Sequence, residues 1–256
     1  MRAIAALLDS RDGLSALRRS LPPRAAPVVA CRSLAGLHRV LEGRLVEVIV
    51  LGAGVARRSE LVVLLARFPT IPVVVFGVIR SEDADQLLAW QELNCVAVAV
   101  AGVDDAFVGE LVARQSVSAR RAAALGEAPR LLRLTEPLQQ RAWAMLVATP
   151  GRPLRISALA RELGLSREHL SRQFGAGGAP NLKRVADLLT VHAALRLLGN
   201  PGYSLAGVAA LLEFATPSHL RLVVRRITGL RLEEARALGE RDVLARFVRL
   251  SARSRR

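Results

Sequence analysis

Between residues 3 and 100 the chain alternates short, nearly continuous apolar runs with longer segments of mixed polarity. The runs cover residues 3–8, 27–31, 46–51, 71–76 and 95–100, and most are rich in Val or Ile. A nearly continuous run of this kind predicts a strand buried on both faces of a parallel sheet, because a half-exposed strand would alternate polar and apolar residues. The intervening segments, 13–21, 33–41, 59–68, 82–93 and 104–114, read as helices. Five strand–helix units in so short a span predict a doubly wound α/β domain with a five-stranded parallel sheet, over residues 1–118.

Beyond residue 130 the period changes to that of helices. Thr135-Glu136-Pro137 opens a helix, with Thr135 as expected N-cap and Pro at the first helical position; it runs through Trp143 and Leu146 to Thr149-Pro150-Gly151. A short helix over 154–164 is followed by a turn and a second helix capped by Ser166, with Glu168 near its positive end. A long helix over 181–198 stops at Gly199-Asn200-Pro201-Gly202. The motif then repeats: Ser204 restarts the chain, and Thr216-Pro217 begins another second helix. In both copies the apolar spacing buries one face of each helix and leaves the other face of the second helix free, the pattern of a helix-turn-helix. The expected division is an α/β domain at 1–118, a linker at 119–134, an all-α domain with two helix-turn-helix units at 135–250, and a basic tail at 251–256.

Charge sharpens this division. The net charge is +15, from 37 Lys+Arg against 22 Asp+Glu, and it is uneven. Residues 1–129 hold 15 basic against 13 acidic side chains, whereas 130–256 hold 22 against 9. The basic excess belongs to the helical half, as a phosphate-binding surface requires. GC-rich coding explains why all but one of these residues are Arg, but not why the surplus sits in one half. Cys31 and Cys95 lie in apolar runs and read as small buried hydrophobes; no ligand-spaced Cys/His cluster exists, so no metal and no cofactor is expected. No apolar run approaches the roughly 18 residues of a membrane span. The opening residues lack the pattern of a secretory signal. The chain is therefore expected in the cytoplasm, on the nucleoid. Gly52-Ala53-Gly54 after a Val/Ile strand is part of a dinucleotide fingerprint, but Arg57 stands at the third glycine and no acidic residue follows at ribose distance, so a glycine turn closing the strand is the reading adopted.

Over residues 135–240 the chain resembles the AraC/XylS family of transcription regulators. The first unit matches at Ala160, Leu163, Gly164, Ser166, Leu170, Ser171, Arg172 and Phe174; the second matches at Ala209, Leu212, Phe214, Ser218, Arg226, Thr228 and Gly229. It departs at Glu213 for Gly, His169 and His219 for Tyr, Leu222 for Arg, and Leu232 and Ala235 for Pro and Tyr. Residues 1–118 resemble the receiver domain of response regulators, a flavodoxin-like fold, with its chemistry missing. The first strand ends in a single acid, Asp9; Gly52 stands where the phospho-accepting Asp belongs; no hydroxyl follows the fourth strand and no Lys the fifth. This domain reads as a degenerate receiver used for dimerisation or for binding a signal or partner, without aspartyl phosphorylation.

The two resemblances imply a sequence-specific DNA-binding transcription regulator, not an enzyme, with no catalytic residues. Double-stranded DNA is the expected partner, and a second copy of the chain and RNA polymerase are candidate protein partners. The implied DNA contacts are Ser166, Arg167, Glu168, Ser171 and Arg172 in the first unit, and Thr216, Ser218, Arg221, Arg225 and Arg226 in the second. Arg pairs bidentately with guanine and Glu accepts from cytosine, while capping hydroxyls at helix N-termini can reach phosphates. His169 and His219 are expected to be partly buried. Two other readings stand beside this one: a non-specific basic nucleoid-coating protein, and a nucleotide-binding protein or small-molecule enzyme built on the α/β domain.

Overall fold

A computed structural model of the protein describes residues 2–57, 59–80, 90, 94–149 and 155–253. The chain forms two compact units, Met1–Arg120 with Gly199–Ser204, and Arg121–Leu198 with Leu205–Arg256.

The first unit is built on β1 (Arg2–Leu7), β2 (Val28–Ala30), β3 (Leu45–Leu51), β4 (Val73–Gly77) and β5 (Cys95–Val100). They form one sheet in the order β2-β1-β3-β4-β5, every pair parallel, which is the flavodoxin-like order. The nearly continuous apolar runs behave as expected in β1, β3 and β4, which are almost wholly buried. The edge strands β2 and β5 are mostly half-buried, because an edge lacks the second neighbour whose side chains would close over it. Helices α1 (Arg11–Ser20) and α2 (Leu34–Gly43) are each capped by the serine before them. Ser10 Oγ accepts from the Gly13 N–H at 3.0 Å, and Ser33 Oγ from the Gly36 N–H at 3.1 Å. Helix α3 (Ser59–Ala66) follows β3, and α4 (Val108–Gln115) follows β5. Ile4, Ala6, Val48, Val50, Val74 and Phe76 pack against Ala16 and Leu17 of α1 and Val108 and Val112 of α4. The alternate residues of the same strands face the other way, as the pleat requires. The helix expected over 82–93 lies outside the described residues, apart from Trp90, which is helical and buried.

Two polar details complete this unit. Glu47, a carboxylate within an apolar strand, accepts from the Ser118 N–H and hydroxyl at 2.9 and 2.7 Å, which offsets its burial. The segment Gly199–Ser204 is also held here. Asn200 accepts from the Thr70 N–H and donates to its hydroxyl, at 2.9 and 2.8 Å, and the Tyr203 hydroxyl donates to the Leu41 carbonyl at 2.8 Å.

The second unit is helical. Helices α5 (Val117–Ala124), whose first four residues belong to the first unit, and α6 (Ala128–Leu131) occupy much of the stretch read as linker. The N-cap of helix α7 (Pro137–Ala148) lies one residue later than expected: it is Glu136, not Thr135, since Pro137 at the first helical position holds the residue before it extended. Then come α8 (Ile156–Glu162), α9 (Arg167–Phe174), α10 (Leu182–Leu198), α11 (Leu205–Leu211), α12 (Pro217–Thr228), α13 (Leu232–Ala235) and α14 (Glu240–Arg253). The expected helix end at 150–151 and helix start at 154 lie outside the described residues. Helix α14 extends to Arg253, into the stretch read as a tail, of which residues 254–256 are also outside the described set.

Helix α10 organises this unit. Twelve of its seventeen residues are buried, on every side, as befits a helix enclosed by others. It packs against α7, α11, α12 and α14. The turns between α8 and α9 and between α11 and α12 each pass through one left-handed residue, Gly164 (φ 70°) and Glu213 (φ 57°). At Gly164 a Cβ would meet nothing within 4 Å, so a side chain there has only the backbone conformation to strain. Gly164→Ala is expected to destabilise the protein by about 1–2 kcal/mol, the cost of holding an L-residue left-handed. Urea unfolding followed by helical circular dichroism measures it; an unchanged midpoint would contradict the turn geometry.

Candidate nucleic-acid interface

The two second helices, α9 and α12, are superimposable in sequence register from their caps onward. Ser166 Oγ accepts from the His169 N–H at 3.1 Å, and Thr216 Oγ1 accepts from the His219 N–H at 3.1 Å, so each cap satisfies the third amide of its helix. Four residues after each cap stands a fully buried leucine, Leu170 or Leu220. Phe174 completes the buried side of α9; Val223, Val224 and Ile227 complete that of α12. The opposite sides are open: Arg167, Glu168, Ser171 and Arg172 are exposed on α9, and Ser218, Arg221 and Arg225 on α12. At about 100° per residue, Glu168 and Arg172 lie near the centre of the free face of α9, with Ser171 on its flank. Arg167 turns back toward the Leu170–Phe174 side and is available at the helix end, not over the centre. Arg226 also leaves the centre: its guanidinium pairs with Asp187 of α10 at 2.6 Å, beside Lys183.

His169 and His219 are exposed, not partly buried. Each is the third residue of its helix, where the side chain leans away from the apolar stripe, and the His219 ring meets Phe214 edge-on at 5.4 Å.

Both helices are held at their C-terminal ends by side chains that sequence reasoning did not single out. Gln139 of α7, fully buried, donates from Nε2 to the carbonyls of Phe174 and Ala176 at 2.9 and 3.1 Å, and its Oε1 accepts from the Glu136 N–H at 3.0 Å. Arg246 of α14 donates to the Thr228 carbonyl at 3.0 Å. The last carbonyls of a helix have no partner within it, so these donors satisfy groups that would otherwise be stranded. A signal for Gln139 existed: with Ala142, Trp143 and Leu146 it falls at i, i+3, i+4 and i+7, a polar residue on an apolar stripe.

Other arginines of this unit serve similarly. Arg236 donates to the Leu198 carbonyl at the end of α10, buried Arg121 to the carbonyls of Val147 and Thr149, and the Arg184 guanidinium lies 5.5 Å over the Phe247 ring. The basic excess is thus partly structural, and the exposed arginines of α9 and α12 are among those turned outward.

The first unit offers a different feature at the carboxyl end of its sheet, where β1 and β3 are adjacent although β2 intervenes in sequence. Ligands of open α/β sheets bind at such a switch point. A cleft of about 320 Å³ lies there, bordered by Asp9, Ser10, Gly54, Phe76, Gly77 and Arg80. Asp9 folds across it and accepts from the Gly54 N–H at 3.0 Å. A Cβ on Gly52 would come 2.3 Å from Asp9 Oδ2 and 2.7 Å from its backbone nitrogen. The end of β3 therefore has no room for a side chain. Asp104 and Asp105 are occupied by the amides of Val100 and Gly102, at 2.7 and 2.8 Å. Cys31 and Cys95 are half-buried, unpaired thiols, and burial pushes both upward in pKa, away from thiolate reactivity. Among the described residues no group of three or more His, Cys, Asp or Glu could hold a metal ion, and no helix is long and apolar enough to cross a membrane.

Gln139→Leu strands two carbonyls and one amide while keeping the side chain's bulk. It is expected to cost about 1–3 kcal/mol of stability. A denaturation midpoint equal to that of the unsubstituted protein would show that Gln139 does not pin α9.

Comparison with curated proteins finds no match. Residues 159–238, which span both turns and both open helices, match the family model described as a helix-turn-helix domain. The match begins in α8 and ends just beyond α13, so it takes in the repeated cap–helix geometry and the helix joining the two copies. Residues 159–238 thus carry a helix-turn-helix domain, of the kind that binds DNA.

Proposed function

We propose that the protein binds DNA sequence-specifically, with α9 and α12 entering successive major-groove segments about 10 bp apart. The observation that carries this reading is the repeated register: two capped helices, each with a buried leucine at the same place and an exposed face at the same offsets. A protein that merely coats DNA needs positive charge, not two helices held at both ends. In this reading Arg172, at the centre of its free face, pairs with guanine, and Glu168 accepts from cytosine. Ser166 and Thr216 spend a lone pair on their caps but keep a hydroxyl hydrogen for phosphate. Arg167, Ser171, Ser218, Arg221 and Arg225 supply the flanking contacts. Arg226 acts through Asp187, fixing α12 against α10.

The α/β unit serves dimerisation or the binding of a signal or partner, and not phosphoryl transfer. Asp9 fills the space beside Gly52, and the β5 loop carboxylates are taken up by backbone amides, so neither a nucleophile at the end of β3 nor an open metal cage is in place. RNA polymerase fits as the partner of a regulator acting at promoters, and such a protein works on the nucleoid in the cytoplasm.

Arg172→Ala is expected to relax base preference within one half of the selected site. Arg225→Ala is expected to weaken binding to all sequences and to lower the slope of log affinity against log salt by about one. Selection from random duplexes followed by salt titration reads both; an unsubstituted protein that enriches no motif would leave only non-specific binding. Incubation with acetyl phosphate and Mg²⁺ is expected to give no hydroxylamine-sensitive phosphoryl adduct by mass spectrometry and no change in DNA affinity. An adduct on Asp9 or Asp104 would overturn that part of the proposal.

A further inference from the structure

Helix α12 has one more large aliphatic residue than its core uses. Leu220, Val223, Val224 and Ile227 are buried, while Leu222 is 63% exposed. It stands opposite the buried stripe, with Ser218 one turn before it and Arg225 just under one turn after it. Counted from the caps, Leu222 holds the place in α12 that Arg172 holds in α9. The surrounding charge says what covers it: Arg221 and Arg225 project beside it, and a polyanion is the partner that face attracts.

An isobutyl group neither donates nor accepts a hydrogen bond, so it gains nothing from the polar edges that bases show in the major groove. The apolar feature of those edges is the C5 methyl of thymine. Set against a cytosine amino group or a purine edge, Leu222 would strip water from a polar group and return no partner. We propose that Leu222 is a specificity-determining residue that selects a C5-methylated pyrimidine, thymine in ordinary DNA, at one position of the half-site under α12. The second unit then reads sequence by methyl contact where the first reads by guanidinium. This rests on the sequence-specific reading above, and extends it from which helices read to what the second one reads.

The test uses the full chain. Duplexes are selected from a random pool, and each thymine of the selected site is then replaced singly by uracil, which removes only the methyl. One thymine in the half facing α12 is expected to lose about fourfold in affinity (about 0.8 kcal/mol) on that replacement. Leu222→Ala, at an exposed helical site, is expected to keep the fold and lose that sensitivity, while Arg172→Ala keeps it. With cytosine at the position, adding a 5-methyl group is expected to recover affinity for the unsubstituted protein and not for Leu222→Ala. Leu222→Arg is expected to shift the selected base at that position from thymine to guanine. A selected motif without a uracil-sensitive thymine, or one whose sensitivity survives in Leu222→Ala, overturns the assignment to Leu222 alone. Failure to enrich any motif overturns the reading beneath it.

Discussion

A helix that must offer a polar face to a ligand cannot be held by that face, so all of its positioning has to come from its other side and its two ends. The helical unit is arranged around that constraint. Helix α12 buries Leu220, Val223, Val224 and Ile227, and α10 packs directly against it. Helix α9, one turn shorter, buries only Leu170 and Phe174 and is seated on α7 and α8. Ser166 and Thr216 fix the N-terminal ends, and Gln139 and Arg246 take the carbonyls at the C-terminal ends. The shorter helix has the more deeply buried donor. That is physically reasonable, since a two-residue apolar face resists rotation and sliding less than a four-residue one.

The arginines show how one residue type divides between two tasks. Guanidinium groups remain charged at any physiological pH and carry five donors, so they can cap helix ends inside a protein as readily as they pair with phosphate outside it. Arg121, Arg236 and Arg246 are turned to backbone carbonyls, Arg226 to Asp187, and Arg184 to the face of Phe247. Net charge alone therefore overstates the nucleic-acid surface. Arg172 on α9 and Arg221 and Arg225 on α12 differ from these in standing exposed on the open side of a capped helix.

In the α/β unit space is used just as closely at the end of β3. Asp9 does not merely lack acidic company; it occupies the volume in which a side chain on residue 52 would stand, and it spends a carboxylate oxygen on the Gly54 amide. A carboxylate at position 52 would require Asp9 to move first. The cleft at the switch point is bordered by Phe76 and glycines.

The sequence by itself determined the order and type of most elements, because nearly continuous Val/Ile runs and 3.6-residue periodicity are local consequences of burial. It also determined both capped turns, whose Ser166 and Thr216-Pro217 signals act within a few residues, and the location of the basic excess. The exposure of Glu168, Arg172, Ser218 and Arg225 was legible for the same reason: they lie opposite an apolar stripe that can be counted along the chain. Only the tertiary structure decided what depends on residues far apart in sequence. It assigned Arg226 to Asp187, thirty-nine residues away, brought Gln139 to Phe174 and Arg246 to Thr228, and folded Asp9 over Gly52. It moved the cap of α7 to Glu136, exposed His169 and His219, and made α5 and α6 helical where a linker was read. Local pattern shows which side of a helix is buried; which partner meets a polar group is set by where the chain returns, and no local pattern carries that.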